Sequence, residues 1–72
     1  MTLANRIIAW WADFAPFEEQ PTQGYIKRQI ENDKPGLIQF LSDIYQDMRV
    51  DNESDERSFK ELGSILEELQ KL

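Results

Sequence analysis

The segment Leu3–Phe14 reads LANRIIAWWADF, and its pattern decides the fold class. Its apolar residues recur every three or four positions, which is typical of an amphipathic helix. Four large ones lie within about 60° of one another on a helical wheel, namely Leu3, Ile7, Trp10 and Phe14. The neighbours Trp10 and Trp11 point about 100° apart, so one narrow stripe cannot hold both rings. The whole apolar arc covers roughly 200°, which is wider than the stripe of an ordinary surface helix.

The surplus apolar surface has two interpretations. In the first, Trp10 belongs to the core and Trp11 to a second layer, covered by the second helix or by residues 16–21. In the second, Trp11 is the centre of a contact site, because tryptophan is enriched in binding hot spots. The candidate protein contact then consists of Ile8, Trp11, Ala15 and Phe17, and a homodimer would use it symmetrically.

The rest of the chain predicts three more helices, separated by prolines and polar clusters. With the first helix at residues 2–14, the others span residues 22–32, 34–49 and 54–71. Thr2, Asp33 and either Asn52 or Ser54 are suitable N-caps, since their side chains accept hydrogen bonds from the first helical turn. No segment alternates with a period of two, as a half-buried strand would.

These segments predict an all-α fold, a compact small bundle of about four helices with no sheet. Three main amphipathic helices pack together, and the short helix at residues 22–32 lies across them. A five-helix domain with a further turn near residues 15–20 is the alternative. Gly63 weakens the fourth helix by about 1 kcal/mol relative to alanine, which indicates a close approach by another segment.

The length of 72 residues predicts a single helical domain, residues 1–72. Cysteine and histidine are both absent from the sequence, which excludes thiol chemistry and removes the commonest general base. The oxygen-rich stretch 51–56 begins like a calcium loop, but Glu56 and Leu62 stand where glycine and a bidentate glutamate belong. We therefore expect no catalytic residue, no cofactor and no metal site.

The longest apolar run, residues 7–12, is too short to span a bilayer, and no signal-peptide pattern is present. A cytoplasmic protein without membrane association is therefore expected. The formal net charge is −6, and the second half of the chain carries most of the acidic excess. An acidic surface disfavours nucleic acids and anionic membranes and permits docking to a basic protein.

The sequence thus predicts a small acidic protein that acts by protein–protein interaction, as an adaptor, regulator or inhibitor, alone or as a homodimer. Two alternatives stay open. A nucleic-acid mimic would bind a DNA-binding protein through a candidate acidic face, composed of Asp43, Asp47, Asp51, Glu53, Asp55 and Glu56. A weak nucleic-acid binder would use the basic cluster of Lys27, Arg28 and Lys34, against the overall charge of the chain.

Overall fold

Four helices follow one another along the chain, and a computed structural model describes residues 2–72. The helices are α1 (Leu3–Phe14), α2 (Gln23–Asn32), α3 (Lys34–Asp47) and α4 (Glu53–Lys71). No strand occurs within residues 2–72, so the predicted all-α bundle is confirmed. The predicted boundaries agree within two residues. Residues 15–22 contain a turn, closed by the Glu18 N–H and the Ala15 carbonyl at 3.2 Å, in place of the alternative fifth helix.

All four helices begin at a residue whose side chain caps the first turn. The cap hydrogen bonds run from a backbone N–H three residues later to Thr2, Thr22, Asp33 and Asn52. Such a cap stabilises a helix by about 1 kcal/mol, which matters in a chain this short. At α4 the cap is Asn52, the first of the two predicted candidates. Asp33 is also the single residue between α2 and α3.

The helices close into a ring in which each packs against the helices before and after it. α1 packs on α2 and α4, and α3 packs on the same two helices. The radius of gyration, 11.7 Å, is near the value of about 11 Å expected for a compact chain of this length. Ten residues form the buried core: Ala4, Ile7, Trp10, Ile26, Leu37, Leu41, Leu62, Ile65, Leu66 and Leu69.

Two residues of the α1 stripe lie outside this core: Leu3 packs against it partly buried, and Phe14 is exposed. Phe14, which the helical wheel groups with Leu3, Ile7 and Trp10, is 40% exposed. It is the last residue of α1, and its ring stacks parallel to that of Trp10 with centroids 5.0 Å apart. Trp10 therefore takes the core position and Phe14 covers it.

The close approach predicted at Gly63 is confirmed at the contact between α3 and α4. A Cβ atom at Gly63 would lie 3.3 Å from Cε2 of Tyr45, which is tighter than an ordinary carbon–carbon contact. The Tyr45 ring in turn stacks on Phe59, with centroids 4.3 Å apart. Glycine thus leaves room for an aromatic pair between the two helices.

A charged cluster joins α1 to α4 at the surface. The Arg6 guanidinium donates hydrogen bonds to Glu61 (3.0 and 3.2 Å) and Ser64 (3.0 Å), and it pairs with Glu68 at 2.8 Å. The hydrogen bond to Glu61 is the main cause that raises the pKa of Arg6 above its ordinary value. One planar fork thus serves three acceptors, which the single ammonium of a lysine cannot reproduce.

Candidate functional site

The two tryptophans of α1 contact different neighbours. Trp10 is 3% exposed, and its indole N–H donates to the Ser58 carbonyl of α4 at 2.9 Å. The Trp11 ring instead stacks on Phe40 of α3, with centroids 5.4 Å apart. The two indoles meet edge to face at 6.2 Å. The two indoles of α1 therefore have different partners, α4 for Trp10 and α3 for Trp11.

Trp11 lines an open groove of about 650 Å³ beside α2 and α3, which we call the Trp11 groove. Its other lining residues are Glu19, Gln20 and Pro21 before α2; Thr22, Tyr25, Ile26 and Gln29 at α2; and Asp33, Gly36, Leu37 and Phe40 at α3. On both helices these positions follow the spacing i, i+3, i+4, i+7, so each helix presents one face to the groove. The two faces meet at Asp33.

The Trp11 groove combines a buried base with exposed aromatic edges. Ile26 and Leu37 are 2% and 4% exposed and belong to the core. Tyr25 and Phe40 are 55% and 46% exposed. A cavity lined by aromatic and aliphatic groups with a few polar ones is typical of sites that bind another molecule. The groove therefore presents an open, partly apolar surface beside the core.

The Trp11 indole N–H is buried and has no hydrogen-bond acceptor among the described residues. An unpaired buried donor destabilises a fold by about 1–3 kcal/mol. Trp10, in contrast, has its N–H paired. Trp11 thus differs from Trp10 in carrying a buried donor without an acceptor among the described residues.

The charge in the Trp11 groove is negative. Glu19 and Asp33 are the charged residues of the lining, and within residues 2–72 no lysine or arginine lines it. Asp33 is also the N-cap of α3, since its side chain accepts a hydrogen bond from the Gly36 N–H at 3.3 Å. A Cβ atom at position 36 would collide with the Asp33 carboxylate, so Gly36 leaves room for the cap.

The predicted contact residues do not gather around this groove. Only Trp11 lines it; Ile8 is partly buried against the core and Ala15 is half-buried. Phe17 is fully exposed, at 101% of its reference area, on the turn that follows α1. The lining residues of α2 and α3 were not among the predicted contact residues. Their sequence signal is the helical spacing of the lining positions within residues 22–29 and 33–40, on either side of the single connecting residue Asp33.

The six acids of the candidate acidic face lie on α3, on the following loop and at the start of α4, and local contacts occupy several of them. Asp43 accepts from Gln39 at 2.8 Å, Asp55 accepts from the Asp51 N–H, and Glu56 pairs with Lys60. Three of them, Glu53, Asp55 and Glu56, lie in the first turn of α4, where the helix dipole favours acids. Within residues 2–72 no group of three or more acids is placed to hold a metal ion. Asp47 ends α3 and is exposed.

The basic cluster is divided by the fold. Lys27 and Arg28 are exposed on α2, whereas the Lys34 ammonium donates to the backbone carbonyl of Leu72.

A second cleft of about 370 Å³ lies between α1 and α4. Arg6 and Glu61 in its lining are already paired with each other. This cleft mixes basic and acidic lining residues, whereas the charged lining residues of the Trp11 groove are both acidic.

A comparison with known proteins finds no family model, no curated protein and no solved structure that matches this chain. Among the helices described for residues 2–72, none is long and apolar enough to cross a membrane. The geometry and charge of the Trp11 groove are therefore the basis for a functional proposal.

Proposed function

We propose that this chain is a protein-interaction module that holds an apolar side chain of a partner polypeptide in the Trp11 groove. The observation that carries the proposal is the groove itself, in which Trp11, Tyr25 and Phe40 surround a base made by Ile26 and Leu37. Aromatic residues of this kind are the usual anchors of protein interfaces. The net charge of −6 supports the same proposal, because an acidic chain suits a basic partner surface.

The faces of α2 and α3 that line the groove meet at Asp33, and together they suit a short partner segment. α2 has 10 residues, so its face is about 15 Å long at 1.5 Å per residue. That length accommodates about two to three helical turns of a partner or four to five extended residues. We therefore expect recognition of a peptide with one or two apolar anchors rather than of a whole flat surface.

A random peptide library tests the proposal, since it requires no choice of partner in advance. Peptides displayed on phage are selected on the immobilised protein and then measured against the Phe40→Ser variant. Phe40 is already 46% exposed, so its removal leaves the core in place. We expect the selected peptides to bind this variant about tenfold more weakly or worse, a loss of about 1.4 kcal/mol that is typical of an aromatic anchor.

The matched control is Val50→Ser, because Val50 has the same 46% exposure and lies outside the groove. The selected peptides should bind this variant as tightly as the unchanged protein. If no peptide is enriched, or if the peptides bind Phe40→Ser undiminished, the proposal is wrong.

A homodimer is the second candidate, and the observation that favours it is the complete exposure of Phe17. Phe17 belongs to the same connection, residues 15–22, as the groove residues Glu19, Gln20 and Pro21. Two copies could therefore exchange Phe17 side chains between their grooves with two-fold symmetry. Light scattering would show a dimer that Phe17→Ser converts to a monomer; a protein that is monomeric at every concentration contradicts this arrangement.

A further inference from the structure

We propose that the partner segment carries an arginine or a lysine about 10 Å from its apolar anchor, and that this cation binds at the Asp33 end of the Trp11 groove. The inference rests on the proposed function, because it specifies the chemistry of the occupant. Its first support is charge: the two charged groups of the lining, Glu19 and Asp33, are both carboxylates. Charge complementarity across an interface selects partners and guides their encounter.

The second support is the geometry of α3. Asp33 and Phe40 lie on one face of this helix, seven residues apart, which corresponds to about 10.5 Å along the axis. A partner whose anchor contacts Phe40 therefore reaches Asp33 with a residue about three positions away in an extended chain, or about seven positions away in a helix.

The third support is the combination of acids with exposed aromatic rings. Tyr25 is 55% exposed in the same groove, and ring faces attract cations within about 6 Å of the centroid. A guanidinium can stack on such a ring while it donates to a carboxylate, so arginine suits the site better than lysine.

Three synthetic peptide pools test the inference. All have apolar residues at the same randomised anchor positions, and they differ only in the flanking positions, which are arginine, glutamine or glutamate. Binding is followed by proton–nitrogen NMR through the indole N–H peak of Trp11, a residue that lines the groove. The Trp10 indole N–H, held by Ser58, is the internal reference and should shift less than the Trp11 peak.

We expect the arginine pool to bind up to about fivefold more tightly than the glutamine pool, since one exposed ion pair contributes up to about that gain. The double variant Glu19→Gln/Asp33→Asn should remove most of this preference and keep the fold, because asparagine caps a helix as well as aspartate. The control Asp43→Asn/Asp47→Asn removes the same charge outside the groove and should keep the preference.

Each failure of the experiment has its own signature. If no pool shifts the Trp11 peak more in the unchanged protein than in the Phe40→Ser variant, the proposed function fails and the inference fails with it. If the glutamine pool binds as tightly as the arginine pool, the groove is a docking site but the cation is wrong. If the control variant loses the preference as fully as the groove variant, the preference reflects the net charge of the chain and the site at Asp33 is refuted.

Discussion

Replacing each tryptophan by phenylalanine separates a paired indole N–H from an unpaired one. Both substitutions remove the same atoms, and each leaves a six-membered ring beside the aromatic neighbour, Phe14 for Trp10 and Phe40 for Trp11. They differ in the N–H group. Trp10→Phe deletes the hydrogen bond to Ser58, whereas Trp11→Phe deletes a buried donor that has no acceptor among the described residues.

The magnitudes follow from this difference. Loss of the buried ring atoms lowers the free energy of unfolding by about 1.5 kcal/mol. This value lies between the loss for one buried methyl group and the loss for truncation of a large side chain to alanine. The lost hydrogen bond adds about 1 kcal/mol at Trp10, so Trp10→Phe should lose about 2.5 kcal/mol of stability in total. At Trp11 the removal of an unpaired donor returns about 1–3 kcal/mol, which offsets the lost packing. We therefore expect Trp10→Phe to be less stable than Trp11→Phe by at least about 2 kcal/mol.

Urea unfolding followed by far-ultraviolet circular dichroism measures both variants, since tryptophan fluorescence itself changes with the substitutions. A difference of about 2 kcal/mol is large beside the total stability of about 4–11 kcal/mol expected for a chain of this size. Equal losses in the two variants would refute the assignment of the hydrogen bond, and so would a larger loss in Trp11→Phe.

The packing of α3 on α4 and of α1 on α4 supplies two further predictions. Gly63→Ala gains helix propensity but meets Tyr45 at 3.3 Å, whereas the matched change Gly24→Ala meets nothing within 4 Å. Gly24→Ala should therefore stabilise the protein by about 0.5–1 kcal/mol, and Gly63→Ala should do so only in a Tyr45→Ala background; an equal gain from the two single changes contradicts the close approach. Arg6→Met should lower the free energy of unfolding by about 1–2 kcal/mol, whereas loss of the exposed Lys60–Glu56 pair should lower it by only about 0–0.5 kcal/mol. Thermal unfolding should show that the loss in Arg6→Met becomes smaller when salt is added. Because the pKa of Arg6 is raised, its contribution is complete at neutral pH and is lost only as the solution becomes strongly alkaline.

The helices and their ends were predictable because local rules determine them. Each N-cap is a residue whose short polar side chain reaches the N–H three positions ahead, and Asp33 and Thr2 were identified on that basis alone. Gly63 was also correctly interpreted, since a glycine inside a helix often marks a close neighbour. Local geometry, however, does not say which neighbour; that it is Tyr45 depends on how α3 and α4 align.

The Trp11 groove was not predicted for the same physical reason. A helical wheel gives the angle at which a side chain leaves its own helix, but it does not say which helix lies in that direction. The wheel grouped Phe14 with the core and joined Trp11 to Ile8 and Ala15, because all four are apolar residues in or next to α1. In the folded chain α3 reaches Trp11 through Phe40, and α2 meets α3 at Asp33, so the concave surface forms from three segments.

The structure supports the second-layer interpretation of Trp11, whereas its part in a protein contact stays a prediction. Trp11 is a second-layer residue, since Phe40 covers part of its ring, and it also lines a groove whose charged lining residues are both acidic. Its unpaired N–H makes the two roles separable. If stability alone governs this position, Trp11→Phe should lower the free energy of unfolding and leave peptide binding intact. If the groove governs it, the variant should stay folded within about 1 kcal/mol and lose peptide affinity, because the larger ring forms part of the binding surface.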